Sequence, residues 1–142
     1  MNVKIKKLHE DAIVPTYGSA GAACFDLYAH DVEPEPDGKS TYVFTGVAVK
    51  IPDDHVMLIF SRSGHGFNWS TRLCNCVGVL DSDYTGEVMV KLRHDGIDAP
   101  CLLPNDRIAQ AMILPIQQVT FEVVDELPKT ERGTNGFGST GR

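Results

Sequence analysis

Arg107–Pro115 reads RIAQAMILP, and whether it forms a helix or a strand decides the fold. Its two alanines favour helix. Pro104 and Pro115 bracket it and leave room for about ten residues, near the shortest stretch that reads as a helix. It reads here as a strand. VAVKI (Val47–Ile51) and EVMVKLR (Glu87–Arg93) alternate apolar and polar residues, as half-buried strands do. VMLIF (Val56–Phe60) is apolar throughout and suits a core strand, and QVTFEVV (Gln118–Val124) is strand-like too. Turn-forming clusters separate these runs: EPEPDG (Glu33–Gly38), IPDDH (Ile51–His55), HDGIDAP (His94–Pro100) and LPND (Leu103–Asp106). The expected class is all-β, a jelly-roll-like sandwich or barrel of short strands.

A chain of 142 residues is long enough for one domain with a real core. The sequence divides into a β domain over 1–126 and a polar, glycine-rich arm over 127–142. The opening MNVKIKKLHE has no apolar run of the secretory kind, and no later segment is long and apolar enough to span a membrane, so an intracellular, cytoplasmic setting is expected. Cys24, Cys74, Cys76 and Cys101 have no histidine at zinc-ligand spacing and read as buried, reduced thiols. The five histidines are scattered and read mostly as solvated. A net charge of −6 argues against a nucleic-acid surface, which needs a basic stripe. A small anionic ligand needs only a few arginines and oriented N–H groups.

Five stretches depart from ordinary strand or turn sequence. AACFDLYA sets Asp26 among apolar neighbours, where a carboxylate is either a structural acceptor or a metal group. SRSGHG (Ser61–Gly66) offers Arg62, Ser63 and Gly64, which suit an anion or a plain turn. NCVGVLDSDYTGE (Asn75–Glu87) reads as a β-hairpin with arms Asn75–Leu80 and Glu87–Leu92. Asp81 and Asp83 near its tip would share a face in an extended strand. Such a pair could hold a metal, or supply a general base and a turn former. NDRIAQ carries Gln110, an amide able to donate to phosphate, and Arg107, which suits a structural ion pair. The tail RGTNGFGSTGR is too glycine-rich to order itself. Yet Arg132 can pair with phosphate, Phe137 can stack on a base, and Ser139 and Thr140 can donate to phosphate oxygens.

In this order the five stretches resemble the motifs of the trimeric dUTPase family, over Ala20 to Gly141. The resemblance implies a jelly-roll-like subunit, a homotrimer with active sites shared between subunits, and an arm that closes over a neighbour's site. It implies hydrolysis of dUTP to dUMP and pyrophosphate, which keeps uracil out of DNA and supplies dUMP for thymidylate synthesis. Asp81 would be the general base for a water attacking the α-phosphorus, and Asp83 would steady the hairpin tip. Tyr84 would pack on the deoxyribose and exclude a 2′-hydroxyl. Asn75, Gly78, Val79, Leu80 and Met89 would read uracil, with Phe137 stacked upon it. Arg62, Ser63, Gly64 and Gln110 would hold phosphates, and Arg132, Gly138, Ser139 and Thr140 the γ-phosphate. Asp26 would orient Mg²⁺ through water.

The chain departs from the family pattern in places. Cys24 and Asn105 stand where glycine is usual, Phe25 where tyrosine is frequent, and the segment between RSG (Arg62–Gly64) and GVLD (Gly78–Asp81), which includes His65–Cys74, is longer than in many members. Trp69, in that segment, acquires no role. A dCTP deaminase of related fold would be expected to lack the GFGSTG tail. A nucleotide-binding sensor would not need both Asp81 and Arg132, and a purely structural jelly roll would need neither the arginine nor the phenylalanine of the tail.

Overall fold

The RIAQAMILP segment is a strand, and it lies inside a sheet. In the computed structural model, which describes residues 1–97, 100–139 and 141, two five-stranded antiparallel sheets face each other. The first runs β1 (Lys4–Lys7), β5 (Ser40–Lys50), β9 (Glu87–His94) and β7 (Thr71–Leu73), with β4 (Asp31–Pro34) also pairing β5. The second runs β2 (Thr16–Tyr17), β3 (Phe25–Tyr28), β10 (Arg107–Pro115), β6 (His55–Phe60) and β8 (Val77–Leu80). One short helix, α1 (Ser63–Trp69), follows β6.

Burial explains why β10 is extended despite its alanines. Ile108, Ala109 and Ala111 are all fully buried, so consecutive positions face packed surroundings on both sides of the sheet. Helix propensities differ by at most about 0.7 kcal/mol per ordinary residue, less than the roughly 1.5–3 kcal/mol gained by burying one large apolar side chain. The core joins Val43, Val49, Val88 and Leu92 of the first sheet to Leu27, Met57, Ile59 and Ile108 of the second.

β5 changes partners part-way along. Its first half pairs β4 and its second half pairs β1, with a register break against β9 between Phe44 and Ala48. Gly46 sits in that break with φ 66°, and a Cβ there would lie 2.8 Å from Ala12 Cβ. Only glycine fits both the backbone and the space. The freed Gly46 N–H donates to Glu87 Oε1 at 2.7 Å, which ties the bulge to the start of β9.

Several expectations are corrected. Asn75–Leu80 and Glu87–Leu92 are not two arms of one hairpin: β8 pairs β6 in one sheet and β9 pairs β5 and β7 in the other. The link between them therefore bridges the two sheets. Asp81 and Asp83 lie in a turn, not in extended chain. Gln118–Val124 forms no strand, and Val119, Phe121 and Val123 are exposed, because nothing among the described residues covers them. The last strand ends at Pro115, and the described residues beyond it form only bends and turns. His65 and His94 are buried, not solvated. All four cysteines are free, but none is fully buried.

His94 is held by two hydroxyls: Thr41 Oγ1 lies 3.0 Å from Nε2 and Thr71 Oγ1 lies 2.9 Å from Nδ1. This links β5, β9 and β7. Burial pushes the pKa of His94 below the ordinary imidazole value, against the opposing pull of Asp37 and Asp95.

Candidate active site

The bridge from β8 to β9 opens a cleft of about 310 Å³ lined by Val79, Leu80, Asp81, Tyr84, Glu87 and Met89. A second hollow of about 290 Å³ shares Val79, Leu80 and Met89 with it and adds Asn75 and Gly78 among its lining residues. Every residue expected to read the base and sugar, together with Asp81, therefore lines one of two neighbouring hollows. β8 is an edge strand bonded only to β6, so its outer edge carries unpaired backbone donors and acceptors. β7 pairs β9 only from Leu92 to His94, which leaves the Glu87–Val90 edge on that side without a strand partner. Two open backbone edges, one from each sheet, thus border the same space.

The turn is held in several ways. Tyr84 N donates to Asp81 O at 3.2 Å, and Tyr84 Oη donates to Glu87 O at 2.9 Å. Lys50 reaches from the end of β5 to donate to Ser82 O at 2.9 Å while paired with Asp53. Glu87 grips β5 with its carboxylate and Tyr84 with its carbonyl. Asp83, expected to steady the tip, makes no hydrogen bond among the described residues. Lys50 does that work, and nothing in the sequence singled it out. Glu87 lies within the motif, but a glutamate at a strand start signals no such part.

A second cluster forms where β3, β10 and the segment after β6 meet. Asp26 Oδ1 lies 3.4 Å from Arg62 Nε, and Asp26 Oδ2 accepts from Arg107 Nη1 at 3.2 Å. Arg62 Nη1 donates to Arg107 O at 2.9 Å, and Gln110 Nε2 donates to Ser61 O at 3.1 Å. The register explains the meeting, since Gln110 pairs with both Asp26 and Phe60. Ser63 and Gly64 open α1 and are exposed. Arg107 forms the ion pair expected of it, and that pair is with Asp26 of this cluster.

Among the described residues no three His, Cys, Asp or Glu side chains group closely enough to hold a metal ion. A cation near Asp26 would have one carboxylate, already shared by two guanidiniums. The donor set fits a magnesium ion that takes most of its oxygens from water and from an anionic ligand.

The two clusters are far apart. Leu80 pairs with Met57, which sets Asp81 level with Val56, whereas Asp26 is level with Phe60. That is four residues along the strands, about 13 Å, and three strand spacings across, about 14 Å. Asp81 and Asp26 are thus roughly 20 Å apart within one chain.

In the tail, Arg132 Nε donates to Asn135 O at 2.9 Å, closing a local turn. Phe137 is fully exposed with φ 49°, Gly138 has φ 92°, and Ser139 is exposed. None of the four touches either cluster through a hydrogen bond among the described residues. Thr140 lies outside the described residues.

A family model described as dUTPase matches residues 10–141. The chain belongs to the dUTPase family. It is 42% identical over 146 residues to the deoxyuridine 5′-triphosphate nucleotidohydrolase of Bordetella avium, covering all of this chain and 97% of that protein. It is 41% identical over 143 residues to that of Nautilia profundicola, covering all of both. A Staphylococcus bacteriophage 80alpha dUTPase with dUPNHPP superposes with a TM-score of 0.83 at 25% identity over 99% of each chain. A mutant dUTPase from phage phi11 of S. aureus, described for its coordination of a structural Mg(II) ion, shares the fold with a TM-score of 0.74 at 22% identity, over 89% of this chain and 98% of that one. The jelly-roll-like β architecture expected from the sequence is the one found. No helix among the described residues is long and apolar enough to cross a membrane.

Proposed function

We propose that this chain hydrolyses dUTP to dUMP and pyrophosphate, as a cytoplasmic homotrimer with Mg²⁺, and that its active sites are shared between subunits. The observation that carries the reading is the cleft that sets Asp81 and Tyr84 beside the open backbone edges of β8 and β9. Backbone groups of Gly78, Val79 and Leu80 give uracil a donor for O4 and an acceptor for N3–H. Cytosine presents the opposite pattern and would leave buried groups unpaired, at a cost of about 1–3 kcal/mol each. Met89 and Asn75 bound the base. Tyr84, fixed by its bond to Glu87, fills the space that a 2′-hydroxyl would need. Asp81, exposed at the cleft and acceptor-only when ionised, takes a proton from the attacking water, and the bond from the α-phosphorus to the bridging oxygen breaks to release pyrophosphate.

Arg62, Ser63, Gly64 and Gln110 bind phosphate oxygens. Asp26 would hold Mg²⁺ through water, and the bound ion would offset the charge of the triphosphate. A roughly 20 Å gap between Asp81 and Asp26 is too wide for one nucleotide to be gripped within a single chain at both ends, so neighbouring copies supply the two halves. The exposed apolar residues of Gln118–Val124 suit packing on another copy. The arm over 127–142 then brings Phe137 onto the uracil and Arg132, Gly138, Ser139 and Thr140 onto the γ-phosphate, ordering only when substrate is present.

The test is pyrophosphate release from dUTP, dCTP, dTTP and UTP, with and without Mg²⁺. Strong release from dUTP alone, raised by Mg²⁺, is expected. Equal rates on dUTP and UTP would refute the assigned pocket.

A further inference from the structure

The loop from Asp81 to Glu87 is gripped at both ends by one strand of the first sheet. Gly46 N donates to Glu87 Oε1 at 2.7 Å, and Lys50 Nζ donates to Ser82 O at 2.9 Å. The two grips come from positions four residues apart on β5, about 13 Å along the strand. Among the described residues, the Lys50 bond is the one side-chain hydrogen bond made to Asp81, Ser82 or Asp83 from elsewhere in the chain. Its base is firm, because Val49 and Ile51 on either side of Lys50 are buried. Its far end is held as well, since Nζ also donates to Asp53 Oδ1 at 2.9 Å. Strand pairing does not explain a lysine here. Lys50 stands opposite Lys4 of β1, and like charges at paired positions weaken a sheet. Nor does the exposed ion pair with Asp53, a kind that adds little stability.

We infer that Lys50 is a positioning residue for the general base, tying down the peptide that follows Asp81 so that the carboxylate keeps one place in the cleft it lines; this rests on the proposed dUTP reading and deepens it. Asp81 is exposed, and its carboxylate makes no hydrogen bond among the described residues. Its placement therefore depends on its backbone. Within the turn that backbone is closed by Tyr84 N on Asp81 O, and from outside the turn it is tied by Lys50 at the next residue. A general base works only within hydrogen-bond reach of the proton it takes, and a displacement of about 1 Å can cost up to about a hundredfold in rate. The edges of β8 and β9 and the ring of Tyr84, which meet base and sugar, do not depend on the Ser82 carbonyl. Loss of the tie should therefore reach turnover and spare binding.

Lys50→Met keeps most of the side-chain stem and removes the donor. It is expected to lower kcat on dUTP by about three- to tenfold, while KM and the affinity for dUpNHpp stay within about twofold of wild type. Tm should hold or rise, because the apposition of Lys4 and Lys50 is gone. Lys50→Arg, which restores a donor able to reach a carbonyl, should recover most of the lost kcat. A readout free of turnover is hydrogen exchange at the Tyr84 amide, whose bond closes the turn on Asp81, and it should quicken several-fold in Lys50→Met. A wild-type kcat in Lys50→Met, an unaltered Tyr84 exchange rate, or a kcat and Tm that fall together without recovery in Lys50→Arg would overturn the role of Lys50. A wild type that does not hydrolyse dUTP would instead sink the parent reading, so the two failures are told apart by the unsubstituted chain.

Discussion

Gly86 is a glycine because of Tyr84. A Cβ at position 86 would lie 2.6 Å from Tyr84 Oη and 2.7 Å from its Cζ, so any larger residue must move the ring. The ring is partly exposed and can swing away, so folding would tolerate the change. The proposed site would not, because the bond from Tyr84 Oη to Glu87 O holds the ring at the position where the proposed reading places the sugar. Gly86→Ala is therefore expected to keep Tm within a few degrees of wild type while discrimination between dUTP and UTP falls by about tenfold or more, since one misplaced contact costs on the order of 1–3 kcal/mol. Rates on the two nucleotides, measured side by side, check this. An unchanged dUTP:UTP ratio would show that Tyr84 does not set sugar selectivity.

At the scale of elements, the His94 link makes stability depend on pH. Its pKa is lower in the folded chain than in the unfolded one, where it returns to the ordinary imidazole value near 6.5. Above that value neither state holds the proton, and the full stability is present. As pH falls below it, the unfolded chain takes up a proton that the folded chain refuses, so stability declines until the folded pKa is reached. Urea midpoints should therefore drop between pH 7 and pH 5. His94→Gln, which keeps hydrogen-bonding groups but cannot titrate, should flatten the slope, though His65 contributes a slope of the same sign. An identical slope in the variant would clear His94 of the effect.

The elements themselves were legible where side-chain alternation and proline brackets agreed, as in β9 and β10. Sheet membership was not, because β8 and β9 are close in sequence yet belong to opposite sheets, and no local pattern records that. α1 escaped notice because seven residues with two glycines carry no helical period. Gln118–Val124 has the alternation of a strand but no strand partner among the described residues. In the site, motif residues were legible because their chemistry is unusual for their setting. Lys50 and Glu87 were not, since a lysine and a glutamate on strands look like ordinary surface charges until the fold shows what they touch.

For the whole molecule, the distance between Asp81 and Asp26 sets a condition that subunit mixing can probe. If one site takes its general base from one copy and its arm from another, two different crippled subunits should repair each other. Asp81→Asn homotrimers are expected to bind dUpNHpp but to lose at least about a hundredfold in turnover, the scale of one general base. A chain ending at Glu131, without Arg132 and Phe137, should still assemble as a trimer, of subunits lighter than the 15.5 kDa full chain, and also hydrolyse poorly. Denatured together in equal amounts and refolded, the two should give trimers in which some sites combine an intact Asp81 from the shortened chain with an intact arm from the substituted one. With random assortment about a quarter of the sites qualify, so activity should return to about that fraction of wild type. A site complete within one chain would always carry one lesion or the other, and mixing would restore nothing. Recovery near a quarter with trimer mass confirmed by light scattering supports a site whose base and arm come from different copies, and absence of recovery from trimers proven to be mixed removes that division of the site.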